Sequence, residues 1–183
     1  MSQDSVPSPG PSRLPLIAAI LLLVAALAYI VYARLGAPPA GDAVPMTFTR
    51  LTDLAGAETW PDISPDGSYI VYVKPAGETS DIYLQRIGGG NPINLTAGAA
   101  TVNTQPEYSP KGDQIAFRSG RDGGGIFVMG STGESVRRLT DFGFNPTWTP
   151  DGRTILFQTE YLEHPYSRGT ISQIWKVELE DGK

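Results

Sequence analysis

Hydrophobic positions along this chain follow two patterns. Near the N-terminus they are continuous: residues 14–33 carry no charged side chain and are bracketed by Arg13 and Arg34. At 1.5 Å per residue this run reaches about 30 Å, the thickness of a hydrocarbon core. Beyond residue 47 they come in short alternating runs: Ile70 and Tyr72, Ile115 and Phe117, Ile155 and Phe157. Alternation over so few positions predicts strands with one buried face. No long stretch with helical periodicity occurs there, so an all-β domain is expected.

The strands belong to a repeat. Residues 61–72, 106–117 and 146–157 share one line: proline, a large apolar residue two positions on, a Ser/Thr-Pro-x-Gly step, then a strand. Pro61, Pro106 and Pro146 are 45 and 40 residues apart, a period that marks a repeat architecture. The step is turn chemistry: proline presets φ, and glycine takes the crowded or left-handed position. The large residues before the turn are Ile63, Tyr108 and Trp148. These three and the six strand residues are expected in the core between sheets. A second strand follows in each unit: Asp81-Ile82-Tyr83-Leu84, Gly125-Ile126-Phe127-Val128 and Gln173-Ile174-Trp175-Lys176-Val177. Glycine turns come next, at Gly88-Gly89-Gly90, residues 130–133 and Asp181-Gly182. Leu95-Thr96 and Leu139-Thr140 close two units, and Leu51-Thr52 precedes the first. About four short strands per unit describe a β-propeller blade. A blade cannot bury both faces alone, so neighbours must stack on it.

This line, over about residues 48–183, resembles the WD-like repeat of bacterial TolB-type β-propellers. The resemblance implies a fold of four-stranded antiparallel blades, usually outside the cytoplasm. It also implies a binding role for the propeller. Such propellers form the outer half of single-pass receptor-like serine/threonine kinases and membrane-anchored regulators. They also gate prolyl-oligopeptidase-type peptidases. A closed ring needs about four or more blades. Here the units fall at about 51–95, 96–139 and 140–183, the last one truncated. A strand around residues 48–52 would complete the last blade of a closed ring. A piece of a longer protein is the expected reading. Assembly of several chains and an open arc are the alternatives.

The N-terminal apolar run has two other readings, a buried core helix and a cleaved signal peptide. It exceeds the apolar core of a signal peptide, about 7–15 residues, and runs on into Tyr32-Ala33-Arg34-Leu35. An uncleaved anchor is therefore expected. One arginine on each side gives the positive-inside rule little to act on. The expected layout is a Ser/Pro-rich head (1–13), a transmembrane helix (14–34), an Ala/Pro/Gly linker (35–46) and propeller repeats (47–183). The expected location is the inner membrane, with a single pass and a periplasmic propeller.

Composition narrows the chemistry. The 183 residues carry a formal net charge of −5 and show no Lys/Arg-rich face, which argues against a nucleic-acid partner. There is no cysteine, which excludes disulfides and thiolate metal sites. The single histidine, His164, sits beside Pro165 in an insertion of the third unit. A metal site needs several convergent ligands. No G-x-S-x-G elbow is present. The glycine runs at 88–90 and 123–125 lack the Gly-Lys-Ser/Thr ending of a phosphate loop. Asp66, Asp113, Asp122, Asp141 and Asp151 lie near glycine turns and are read as turn caps rather than calcium ligands. Asn94-Leu95-Thr96 matches a glycosylation acceptor, but its threonine is already explained by the repeat. The basic runs at residues 118–121 and 137–138 are read as solvated strand ends, with a partner-binding patch as the sharper alternative. No catalytic, metal or cofactor-binding residue is assigned, and no cofactor is expected. The functional expectation is an interaction or sensing scaffold. Its partners would be a protein or peptide, or a glycan, and the membrane through the helix. The alternatives are the peptidase gate and the receptor-kinase outer half.

Overall fold

A computed structural model describes residues 14–36, 46–160 and 171–179. The head, most of the linker, the loop bearing His164 and the turn at Asp181-Gly182 lie outside the described residues. The chain divides into two units, residues 1–49 and 50–183. The first contains α1 (Leu14–Gly36), 23 residues long. It is apolar on every side, with a mean hydropathy of 2.8 over its most apolar stretch.

The second unit is a stack of antiparallel sheets. β1 (Thr59–Ile63), β2 (Tyr69–Ala76), β3 (Thr79–Arg86) and β4 (Ile93–Asn94) form the first blade. β5 (Asn103–Tyr108), β6 (Gln114–Ser119), β7 (Gly125–Gly130) and β8 (Arg137–Arg138) form the second. β9 (Phe144–Trp148), β10 (Thr154–Gln158) and β11 (Ile174–Glu178) form what is described of the third. Strand order follows chain order in every blade, and β1, β5 and β9 run side by side as the inner strands. Three blades leave the ring incomplete, since closure needs about four or more.

The core lies between blades. Val71, Val73, Ile82 and Leu84 of blade 1 face Tyr108, Ile115, Phe117, Phe127 and Met129 of blade 2. On the other side of blade 2, Ala116, Ile126 and Val128 face Trp148, Ile155 and Phe157 of blade 3. Blade 2 therefore buries both faces, as the stacking argument requires. Eight of the nine expected core residues are buried, and Ile63 is the exception at 52% exposed. Its equivalents Tyr108 and Trp148 are 7% and 8% exposed because each packs on the preceding blade. Among the described residues no blade precedes β1, so the face carrying Ile63 has nothing to meet. Residues 46–58 form no strand, and Phe48 is 90% exposed.

Two repeated devices set the blade geometry. The Ser64 hydroxyl donates to Asp66 Oδ1 (2.6 Å) and accepts from the Tyr69 N–H (2.9 Å), while the Gly67 N–H closes the turn on the Ser64 carbonyl (2.8 Å). Gly67 has φ +69°, a region that glycine enters without steric cost. In blade 2 the cap passes to Asp113, which accepts from Ser109 Oγ at 2.8 Å; in blade 3 Asp151 accepts from Thr149 Oγ1 at 2.5 Å. The second device is the Leu-Thr pair, which caps the third strand. The Leu95 N–H donates to the Ile82 carbonyl (2.8 Å), and Thr96 Oγ1 accepts from the Ile82 N–H (3.0 Å). Leu139 and Thr140 do the same to Ile126 at 2.8 and 3.0 Å. Asn94 is spent here too: its amide donates to Asp81 (2.9 Å) and its carbonyl oxygen accepts from the Thr96 N–H (3.0 Å).

Candidate interaction surface

The blade stack has two ends. One carries the Ser/Thr-Pro-x-Gly turns and the turns after β3 and β7. The other carries the β2–β3 and β6–β7 hairpins and the connections between blades, residues 97–102 and 141–143. The inner strands run from the second end to the first. Each of them bears a proline, which cannot donate to a ladder and marks an edge or a bulge. The residue before each proline, Trp60, Gln105 or Asn145, has φ of 52°, 57° or 50°. Strand register slips at the same place in all three blades. A left-handed non-glycine residue is strained, so its threefold recurrence shows a bulge that the surroundings enforce.

Beside the bulges, side chains tie each blade to the next. Asp62 Oδ2 accepts from the Tyr108 N–H at 2.7 Å. One repeat later, Glu107 Oε1 accepts from the Trp148 N–H (3.0 Å) and from Thr147 Oγ1 (2.7 Å). The indole N–H of Trp148 donates to the Glu107 carbonyl at 3.2 Å. Burial raises the Glu107 carboxyl above its ordinary value, despite these two donors. Burial also pushes the Tyr108 phenol up to about 12. Blades 1 and 2 are further joined through Ser80 and Asn103: Ser80 Oγ donates to the Asn103 carbonyl (2.8 Å) and Asn103 Nδ2 to the Ser80 carbonyl (3.1 Å).

Clefts open at both ends. At the first end, a space of about 540 Å³ lies between blades 2 and 3, lined by Lys111, Asp113, Glu134, Arg137 and Arg153 among others. Three cations and two carboxylates line it, so neither sign is alone there. At the second end, a smaller cavity of about 250 Å³ is lined by Val102, Thr104, Gln105, Arg118, Gly120 and Phe144. Here the expectation of solvated strand ends fails for Arg118. Its guanidinium stacks over the Phe144 ring at 4.9 Å, and its Nε is buried with no acceptor. Burial, and then the neighbouring Arg138, shift it below its ordinary value. Packing explains the difference. Arg118 faces blade 3, so its stem is covered by the next inner strand.

Among the described residues no group of three His, Asp or Glu side chains converges as a metal site. Asp66, Asp113 and Asp151 serve their turns, and Asp122 sits in a short 3-10 turn with φ of 49°. The sequence did not single out Gln105. Its signal was the proline that follows it inside a strand.

Stacked four-stranded blades with this connectivity define a β-propeller protein. A family model described as the TolB beta propeller domain matches residues 57–183, and the chain belongs to that family. The structure of a putative TolB from Agrobacterium tumefaciens superposes with a TM-score of 0.59 at 30% identity, covering 69% of this chain and 47% of that one. TolB from Acinetobacter baumannii gives 0.53 at 26% identity, covering 69% and 31%. In sequence, the chain is 34% identical over 109 residues to the uncharacterized peptidase YuxL of Bacillus subtilis, covering 54% of this chain and 16% of that one. It is also 34% identical over 113 residues to the uncharacterized protein Atu1656 of Agrobacterium fabrum, covering 58% and 38%. The chain thus spans well under half the length of either curated relative. It is a TolB-like propeller related to the propeller regions of peptidases.

Proposed function

We propose that this chain is a membrane-anchored propeller scaffold that binds a protein or peptide partner at one end of its blades, with the propeller on the periplasmic side. The observation that carries the proposal is α1. It has 23 residues and no charged side chain before Arg34, and its described side chains are exposed along its whole length. At 1.5 Å per residue it reaches about 35 Å, enough to cross a hydrocarbon core. A helix apolar on every side needs an apolar solvent. The proposed layout is a span at 14–34, a linker at 35–46 and a propeller at 47–183. The propeller supplies clefts and loops, and its polar side chains are largely committed to turns and inter-blade ties, which suits recognition better than chemistry.

Two measurements test this. Membranes from cells producing the full chain should retain it after alkaline carbonate extraction, and external protease should digest the propeller only after the outer membrane is opened. Photo-crosslinking amino acids placed at the two ends should then capture a protein from one end and not the other. Release by carbonate would end the anchor reading. Equal or absent capture at both ends would end the scaffold reading.

The similarity to YuxL, a protein named as a peptidase, supports a second reading in which the propeller screens substrates for a hydrolase domain. That reading predicts peptide hydrolysis by the gene product that includes such a domain, with selectivity altered by substitutions at the propeller clefts.

A further inference from the structure

The cavity at the second end breaks the repeat. Thr59 pairs with Val73 in blade 1, Thr104 with Arg118 in blade 2, and Phe144 with Gln158 in blade 3. These are the same positions of successive units. Val73 fills its place as an ordinary core residue, buried against blade 2. Arg118 occupies the corresponding place at the next junction. Blade 3 carries Gln158 at this position, so the repeat does not fix the residue type, and the guanidinium is particular to blade 2.

Two donors at this cavity, on Gln105 and Arg118, lack acceptors, and Asn145 Oδ1 nearby is a buried acceptor without a donor. Gln105 is 4% exposed, and its Oε1 accepts from the Asn145 N–H at 2.7 Å. That bond fixes the amide's orientation, since an N–H requires the oxygen. The Nε2 amide nitrogen is therefore left with two N–H bonds, and it has no partner. Arg118 Nε is likewise buried without one, and only a 3.4 Å contact to the Gly125 carbonyl engages its Nη1. Among the described residues the one ion pair is Lys176 with Glu178, so no described carboxylate pairs with Arg118. A buried donor without an acceptor costs about 1–3 kcal/mol, more when it is charged.

We infer that this cavity, between Gln105, Arg118 and Phe144, binds a carboxylate of a peptide or protein partner. The inference rests on the scaffold reading and names the chemistry that one end of the propeller recognises. A guanidinium and an amide NH₂ each offer N–H donors to a two-oxygen acceptor. Arg118 is the one cation among the residues lining the cavity, with Arg138 a second positive charge nearby, so selectivity for an organic carboxylate over phosphate falls to the apolar wall. Val102 and Phe144 supply apolar wall for the carbon atoms next to the carboxylate. A chain terminus and an Asp or Glu side chain both present this group.

The test is a titration of the full chain in lipid nanodiscs, observing the Arg118 Nε–H resonance, assigned by its loss in Arg118→Lys. Four probes separate the sources: acetyl-Ala-Ala-Phe with a free carboxylate or an amide, and acetyl-Ala-X-Ala-amide with X as Asp or Asn. The resonance should shift saturably with a carboxylate probe and not with its amide partner, and inorganic phosphate should bind at least tenfold more weakly. Which carboxylate probe binds tells terminus from side chain. Gln105→Glu keeps the acceptor for the Asn145 N–H but replaces the donor with a second anionic oxygen. It should weaken binding at least tenfold while leaving the melting temperature near that of the parent. Arg118→Met should do the same to binding. Equal shifts from acid and amide, tighter phosphate binding, no shift from any probe, or unchanged affinity in Gln105→Glu would each overturn the inference. Partner capture from the other end would survive such a failure, so the scaffold reading is judged separately.

Discussion

Replacing Glu107 by alanine isolates the tie between blades 2 and 3. The side chain accepts from the Trp148 N–H at 3.0 Å and from Thr147 Oγ1 at 2.7 Å. Thr147 is exposed, so its hydroxyl turns to water at little cost. Trp148 is buried, and leaving its N–H without an acceptor costs about 1–3 kcal/mol. Against this, the variant no longer holds a carboxylate in a site that disfavours its charge. The net expectation is a loss of about 2 kcal/mol. Glu107→Gln keeps an acceptor oxygen and should lose about half as much. The carboxyl also gives a pH signature. Burial raises its folded value above the ordinary 4.5, so over that window the folded state holds more protons than the unfolded chain. Stability from this group therefore falls as pH rises from the ordinary value through the raised one, and levels off above it. Glu107→Gln removes that fall. The assay is urea unfolding of the full chain in detergent, read by tryptophan fluorescence at several pH values. The indole N–H of Trp148 bonds to the Glu107 backbone carbonyl, so the reporter keeps its own contact in the variants. A loss in Glu107→Ala below about 0.5 kcal/mol, the scatter of neutral surface changes, would refute the tie. Parallel pH profiles for the parent and Glu107→Gln would refute the assigned titration.

Three other expectations follow from packing and turns. Ile115→Ala should cost about 2–5 kcal/mol in urea unfolding because the side chain is fully buried between blades, whereas the half-exposed Ile63→Ala should cost under about 1 kcal/mol. Gly125→Ala should abolish folding, seen as loss of soluble expression: a Cβ there would lie 1.9 Å from the Thr140 carbonyl oxygen, at a φ of +139°. Asp66 and Asp151 are held below their ordinary 3.8, chiefly by the Ser64 and Thr149 hydroxyls. Their turn contribution should be present above 3.8 and fade as pH falls through the lowered values, and NMR titration of the two carboxyl carbons would show midpoints below 3.8.

The blade was legible because its grammar repeats. Ser64, Ser109 and Thr149 could be read as turn residues before any geometry was known, and so could the strands that follow. Alternation named one buried face of each β2-type strand. It passed over Val71, Val73 and Ala116, because a propeller strand buries both faces and then looks continuously apolar. Ile63 was read as core from its register, and register alone does not say whether a neighbouring blade is there. Arg118 was read by its local company, beside Ser119 and Arg121, as a strand end. Aligning the three units would have set it against Val73 and Gln158. The cavity depended on something no single line of sequence holds: which residue of β9 crosses over it.

The carboxylates of Asp62 and Glu107 both reach for the backbone of the following unit, with Glu107 taking the Thr147 hydroxyl as well. A backbone N–H is present whatever residue occupies the position, Tyr108 in one case and Trp148 in the other. The partners on the receiving side can therefore change identity without a matching change on the giving side. A tandem duplication of one unit would bring its own giver and its own receiver, ready to join in the same sense. Chains built this way can gain units and let their sequences drift apart, leaving the inter-unit joint intact while the groups around each cleft diverge.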